Sequence, residues 1–246
     1  MKVYFVGMGP GDYELLTLKA LNLLRNAELV LYPGTLANPE LVKELKEQNP
    51  KAEFVDTGNL KLEEIIDRIK GAFFAGKKVV RLVSGDPAFY SAIQEQIEEL
   101  RALKIPYEVV PGVSSAVTAA AKLGIELTIP EISHTVVFTR ALGKTGGATE
   151  EEIKNFAKTQ STLVFFLSAA RAEFLEKSLL EVLPENIPVV IAYKLCTKEE
   201  KFIFTTISEL STSIKRHGIK KTALILVGKA LEAAEKTLNK RSKLYA

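Results

Sequence analysis

The chain is short of the residues that build metal clusters and disulfides. It has one cysteine, Cys196, and two histidines, His134 and His217. One cysteine excludes an internal disulfide and suits, without requiring, a reducing cytosol. Two histidines and one thiol cannot assemble a zinc cluster from soft ligands, so no metal is expected. No apolar run reaches the length of a membrane span, and Met1-Lys2 leads straight into an apolar segment, so no signal peptide is expected. The expectation is a cytoplasmic protein that does not contact a membrane. An excess of one charge is also missing. Thirty-three Lys and Arg against 30 Asp and Glu leave a net charge of +3, too balanced to argue for nucleic acid.

Two standard nucleotide motifs are absent as well. A Walker loop needs Gly-Lys-Ser/Thr, and a dinucleotide turn needs G-x-G-x-x-G with an acid closing the second strand. Here the third glycine of Gly7-Met8-Gly9-Pro10-Gly11-Asp12 comes one residue early, and the second strand ends in Tyr32-Pro33-Gly34.

What is present is an alternation of strand and helix patterns. Val3–Val6 reads as a short buried strand, the glycine run as a sharp turn, and residues 14–25 as a helix with Asp12 as its cap. Strand patterns follow at 28–32, 53–55, 77–83 and 107–110, and helix patterns at 39–47, 62–74 and 88–103. This alternation predicts a parallel, doubly wound sheet. A helix of small residues over 113–123, an extended stretch over 125–130 and a second α/β series come next. Its strands are expected at 134–139, 162–167, 189–194, 202–205 and 223–227, and its helices at 150–158, 169–182, 208–216 and 229–238. The short join between 194 and 202 carries no helix, so this second sheet is expected to be mixed. The expected division is an N-terminal α/β domain over 1–112, a linker over 113–130 and a C-terminal α/β domain over 131–246. Residues 140–149 read as a mobile loop, and the basic tail past Leu238 as frayed.

Three turns share one expected sheet edge: 7–12, 84–87 and 111–115. Asp86 has two readings there. It caps a helix that starts at Pro87, or it faces a cationic ligand group beside Gly85.

Taken together, Gly7–Asp12, Leu16-Thr17, Ser84-Gly85-Asp86-Pro87 with Tyr90, and Pro111-Gly112-Val113-Ser114-Ser115 resemble the tetrapyrrole methylases, which use S-adenosylmethionine. Phe166-Leu167-Ser168, Ala192-Tyr193-Lys194 and residues 222–228 resemble the second-domain motifs of that family, so the likeness runs from Val3 to Gly228. It implies two α/β domains with the active-site cleft between them and a homodimer. It also implies cofactor contacts at Pro10, Ser84, Gly85, Asp86, Phe89, Tyr90, Ser114, Ser115, Leu167, Leu195 and Ala223. The stretch 124–140 resembles the branch of the family that methylates carbon 11 of precorrin-4 or cobalt-precorrin-4. It departs from that branch at His134, where glutamine is expected, and in residues 142–149, which lack the expected prolines. The implied substrate is a tetrapyrrole with many carboxylates, with or without cobalt. Arg140, Lys144, Arg171 and Lys194 are the cations placed to pair with it. No single catalytic base is assigned, because the transfer asks mainly for alignment. A methylase acting on another ring carbon, a same-fold methylase of protein or RNA, and a non-enzymatic nucleotide-binding module remain as alternatives. His134 reads as a packed or capping residue at a strand start, His217 as a helix-end residue, and Cys196 as no nucleophile.

Overall fold

In a computed structural model, which describes residues 1–240, 242 and 244, the chain forms two compact units, Met1–Ser115 and Ala116–Ala246. The expected fraying of the basic tail falls partly on residues 241, 243, 245 and 246, outside the described residues. Before them, Lys240 forms an ion pair with Glu131 at 2.6 Å.

The first unit is a parallel sheet of five strands, β1 (Val3–Gly7), β2 (Leu29–Tyr32), β3 (Glu53–Asp56), β4 (Val79–Val83) and β5 (Tyr107–Val110), ordered β3-β2-β4-β1-β5. Helices cover both faces, which is why the inner strands β1 and β2 read as unbroken apolar runs. On one face α1 (Leu18–Arg25) and α2 (Pro39–Gln48) pack Ala20, Leu24, Leu41 and Leu45 against Val6, Val30, Val80 and Leu82. On the other, α3 (Leu62–Phe74) and α4 (Ile93–Ala102) pack Ile65, Ile69, Ile97 and Leu100 against Val3, Phe5, Leu31 and Val79. The chain leaves neighbouring strands β1 and β4 in opposite directions, towards β2 and towards β5. Their carboxyl ends therefore form a topological switch point, where open α/β sheets bind ligands.

One residue breaks the apolar pattern of β4. Arg81 is only 6% exposed, and its guanidinium bonds to neutral oxygens, Gln96 Oε1 at 3.1 Å and the Leu82 carbonyl at 2.7 Å. Burial lowers its pKa to about 10, so it remains a cation at neutral pH. The cost of burying that charge is present below about pH 10 and is relieved as the pH rises past that value.

The second unit is a mixed sheet of β6 (Val136–Thr139), β7 (Thr162–Phe165), β8 (Pro188–Tyr193), β9 (Lys201–Thr206) and β10 (Ala223–Val227), ordered β6-β7-β10-β8-β9. Only β6 and β7 pair in parallel; β10 runs against both its neighbours, and β8 and β9 form the antiparallel pair expected from their short join. One face carries α6 (Glu150–Lys158), α7 (Ala172–Leu180) and α8 (Leu210–Arg216), which bury Ile153, Leu175, Leu179 and Ile214. The other carries α5 (Ser115–Leu123), whose Ala116 and Ala119 lie against Val164, Leu224 and Leu226. No helix among the described residues is long and apolar enough to cross a membrane.

Several boundaries differ from the sequence pattern. The first helix starts at Leu18, because Thr17 is its true cap, accepting from the Ala20 N–H at 3.1 Å. Asp12 caps a separate 3-10 turn, Tyr13–Leu15. Beyond β10 the pattern resolves as a 3-10 turn, Lys229–Ala234, rather than an α-helix over 229–238. Residues 125–130 bend rather than extend, tied down by Thr162 Oγ1 donating to the Leu127 carbonyl at 2.7 Å.

Asn49, which closes α2, holds the two helices of the first face together. Its buried carboxamide donates to the Leu24 and Ala27 carbonyls, both at 2.8 Å. Asn49→Ala strands both acceptors, so chemical denaturation should show a loss of about 1–3 kcal/mol. A loss below about 0.5 kcal/mol would show that the link is dispensable.

Candidate functional site

At the switch point the chain backbones touch. A Cβ on Gly7 would lie 2.6 Å from Gly112 N and 2.7 Å from Gly85 O, and one on Gly112 would lie 2.4 Å from Gly85 O. Only glycine permits this approach at these positions, which explains glycines at the ends of three different strands. Two bonds lock the turns: Gly85 N–H donates to Gly9 O at 2.8 Å, and Gly9 N–H donates to Gly85 O at 3.2 Å. Asn38 secures the far side of the glycine run by donating to Gly11 O at 2.9 Å. Asn38 is not among the residues the motifs mark, although an Asn-Pro pair ahead of a helix pattern is a legible cap.

Asp86 does not start a helix at Pro87, the first of its two sequence readings. Its Oδ1 accepts from Ala88 N–H at 2.7 Å and its Oδ2 from Gly112 N–H at 2.9 Å. The carboxylate thus ties the turn after β4 to the turn after β5. The helix expected from residue 88 does not form until Ile93, because Tyr90 and Ala92 both take left-handed backbone with φ 53°. Such conformations cost about 1–3 kcal/mol each and collect at ligand sites. Phe89 and Tyr90 are exposed on this turn. Asp86, Pro87, Tyr90, Val109 and Pro111 border a cavity of about 600 Å³. Of the residues implied as cofactor contacts, Pro10, Ser84, Gly85, Asp86, Phe89, Tyr90, Ser114 and Ser115 all lie on the turns leaving this edge. Ser114 is buried there and Ser84 is exposed.

The second unit has an edge of its own. Thr139 of β6 and Ile225 of β10 both stand opposite Phe165 of β7, and Tyr193 of β8 stands opposite Ala223. The carboxyl ends of β6, β7 and β8 and the start of β10 therefore lie together, which places Leu167, Leu195 and Ala223 on one edge. Leu167 is 60% exposed, whereas Leu195 is buried in the core. Four non-glycine residues here are left-handed: Leu167, Lys194, Cys196 and Thr222. Lys194 N–H donates to Thr222 O at 2.9 Å, which joins two of them.

The loop over 140–149, expected to be mobile, is closed by backbone bonds. Leu142 N–H donates to Ala148 O at 2.9 Å, and Ala148 N–H to Arg140 O at 2.8 Å. Its root is held by Ser168, fully buried, which accepts from Ala141 N–H at 2.9 Å and donates to Phe166 O at 2.6 Å. Ser168 lies in the Phe166-Leu167-Ser168 motif, yet nothing in its sequence context marks this role.

The four candidate cations sit on loops leaving the same edge. Arg140 donates to the Thr145 carbonyl inside its own loop, and Lys144 is exposed on that loop. Arg171 stacks over the Phe174 ring at 5.0 Å. Lys194 bonds to Glu199 at 2.6 Å, which raises its pKa and keeps it charged. His134 is exposed ahead of β6, at the end of that strand away from Arg140. His217 closes α8, with its Nδ1 2.9 Å from Ser213 O. Cys196 spends its N–H on Glu200 Oε2 at 2.6 Å. Among the described residues, no three His, Cys, Asp or Glu side chains gather as metal ligands.

Removing the Asp86 clip should loosen both turns. Asp86→Ala is expected to cost about 1–3 kcal/mol in denaturation, and Asp86→Asn about half as much, since one acceptor oxygen survives. Equal stability of all three proteins would show that the clip carries no energy.

The model of the Tetrapyrrole (Corrin/Porphyrin) Methylases matches residues 2–211. A cobalt-precorrin-4 C(11)-methyltransferase of Methanocaldococcus jannaschii is 43% identical over 231 residues, which span 94% of this chain and 88% of the relative. The crystal structure of a cobalamin biosynthetic enzyme, cobalt precorrin-4 methyltransferase, superposes with a TM-score of 0.88 at 39% identity, covering 94% of this chain and 95% of that one. A uroporphyrin-III C-methyltransferase from Thermus thermophilus, solved with S-adenosyl homocysteine, superposes with a TM-score of 0.80 at 29% identity, covering 95% and 100%.

Proposed function

We propose a reaction for a chain that belongs to the tetrapyrrole (corrin/porphyrin) methylase family: transfer of one methyl group from S-adenosylmethionine to carbon 11 of precorrin-4 or cobalt-precorrin-4. The observation that carries the reading is near-full-length likeness to enzymes named for that step.

The residues present suit the cofactor. The first-unit edge is a cradle that any Cβ at Gly7 or Gly112 would fill, with two exposed aromatic side chains on its rim. Pro10, Ser84, Gly85, Asp86, Phe89, Tyr90, Ser114 and Ser115 would hold the cofactor from the first unit, and Leu167, Leu195 and Ala223 from the second. When bound, S-adenosylmethionine supplies an electrophilic methyl on a sulfonium. The work left to the chain is to orient the acceptor and exclude water, and position alone can select one ring carbon. In this reading the closed loop over 140–149 and the cations Arg140, Lys144, Arg171 and Lys194 take the substrate's carboxylates.

With a carbon-labelled methyl donor and precorrin-4, with or without cobalt, the product should carry one label, at carbon 11 by NMR, and uroporphyrinogen should not turn over. Label on another ring carbon would overturn the branch while leaving the family intact. S-adenosylhomocysteine should bind in calorimetry with a chelator present, and tighter binding of NAD would overturn the cofactor reading. A homodimer and a cytoplasmic location belong to the same proposal, supported by the family resemblance. Sedimentation should give twice the mass of the chain, and a single-chain mass at micromolar concentration would overturn the dimer.

A further inference from the structure

Arg81 is out of keeping with its strand. β4 is central in a parallel sheet, and its other four residues, Val79, Val80, Leu82 and Val83, are buried and apolar. A valine or leucine would fit that pattern. The chain instead buries a cation whose pKa is governed by desolvation, with no opposing charge among the described residues to offset it. Burying an unpaired charge is costly, and residues that conflict with their local packing tend to serve a site.

What Arg81 touches shows which site. Its Nε donates to Gln96 Oε1 at 3.1 Å, and Nε2 of the same carboxamide donates to the Ala92 carbonyl at 3.1 Å. A guanidinium has only donors, so it forces the amide oxygen towards itself and leaves the NH₂ to face Ala92. Ala92 precedes α4 at φ 53°, and Tyr90 stands two residues earlier at the same φ. A polar chain therefore runs from the middle of β4 to the turn that displays Phe89 and Tyr90.

We propose that Arg81 and Gln96 are positioning residues for methyl-donor binding: Arg81 sets the orientation of the Gln96 carboxamide, and Gln96, through Ala92, holds the 86–92 turn in its left-handed shape. The ligand in this inference rests on the cofactor reading above, but the state of the turn does not.

Gln96→Glu separates the two halves of the chain. The carboxylate keeps an acceptor for Arg81 and adds an opposite charge, so the fold should be held at least as well. It has no N–H for Ala92, so the turn should open more often. The expected result is an unchanged or higher melting temperature, with hydrogen exchange in peptides spanning 86–96 about tenfold faster and the rest of the chain unaltered. Affinity for S-adenosylhomocysteine should fall roughly five- to fiftyfold, because less of the protein is binding-competent. KM for the donor should rise while kcat at saturating donor stays within about twofold. Arg81→Met frees the amide to flip and should reproduce the faster exchange and weaker binding, whereas Arg81→Lys, which keeps a donor, should restore most of both.

Wild-type exchange and affinity in Gln96→Glu would overturn the proposal. If that variant does not fold, equal exchange in Arg81→Met and Arg81→Lys would overturn it. A wild-type protein that binds no S-adenosylhomocysteine would sink the cofactor reading, while the exchange comparison would still decide the state of the turn.

Discussion

Everything at the first-unit edge depends on three backbones meeting where no side chain can stand. Gly7, Gly85 and Gly112 end or follow three neighbouring strands and come within contact of one another. That contact requires β4, β1 and β5 to be adjacent, and the crossovers from β1 and β4 part in opposite directions there. It also exposes backbone polar groups, which need partners. The Gly9–Gly85 bonds and the Asp86 carboxylate supply several of these. The result is a surface of fixed peptide groups, which under the proposed reading lowers the ordering cost of binding.

The second-unit edge reaches a comparable order by other means. It has no cluster of touching glycines; four side-chain-bearing residues take left-handed backbone instead, and a buried serine hydroxyl pins two loops. These conformations carry strain that the packed sheet beneath must offset. The sheet can do so because its inner strands β7, β8 and β10 are buried, with α6, α7 and α8 on one side and α5 on the other.

The architecture was largely legible in the residue pattern. Ten strands were read within a residue or two of their observed ends, because each is a short apolar run bounded by Gly, Pro or charged residues. The mixed character of the second sheet followed from the length of one loop. What could not be read is where side chains spend their hydrogen bonds. Asp86 next to Pro87 has the composition of a helix cap, yet its oxygens serve two backbone groups, one of them 26 residues away. Thr17, not Asp12, starts the first long helix, since two capping residues five positions apart compete and sequence alone does not rank them. The loop over 140–149 looked loose because glycines are permissive. Here the same freedom lets Gly147 press against the Ala141 carbonyl, at φ 135°. The Arg81–Gln96 pair was invisible, because its meaning depends on a cross-element contact.

That loop has a further consequence for engineering. Its backbone bonds run between its own residues, Arg140, Leu142 and Ala148, and its root is held by the Ser168 hydroxyl and by Ala141 and Ala148 in the core. It is therefore close to a self-contained cassette. Its tip, 142–147, is exposed and can be diversified in a library, while Ala141, Ala148 and Ser168 stay constant as the sockets that receive it. Under the proposed reaction, new acceptor preferences would be sought there first, because the tip is exposed and stands apart from the buried sheet.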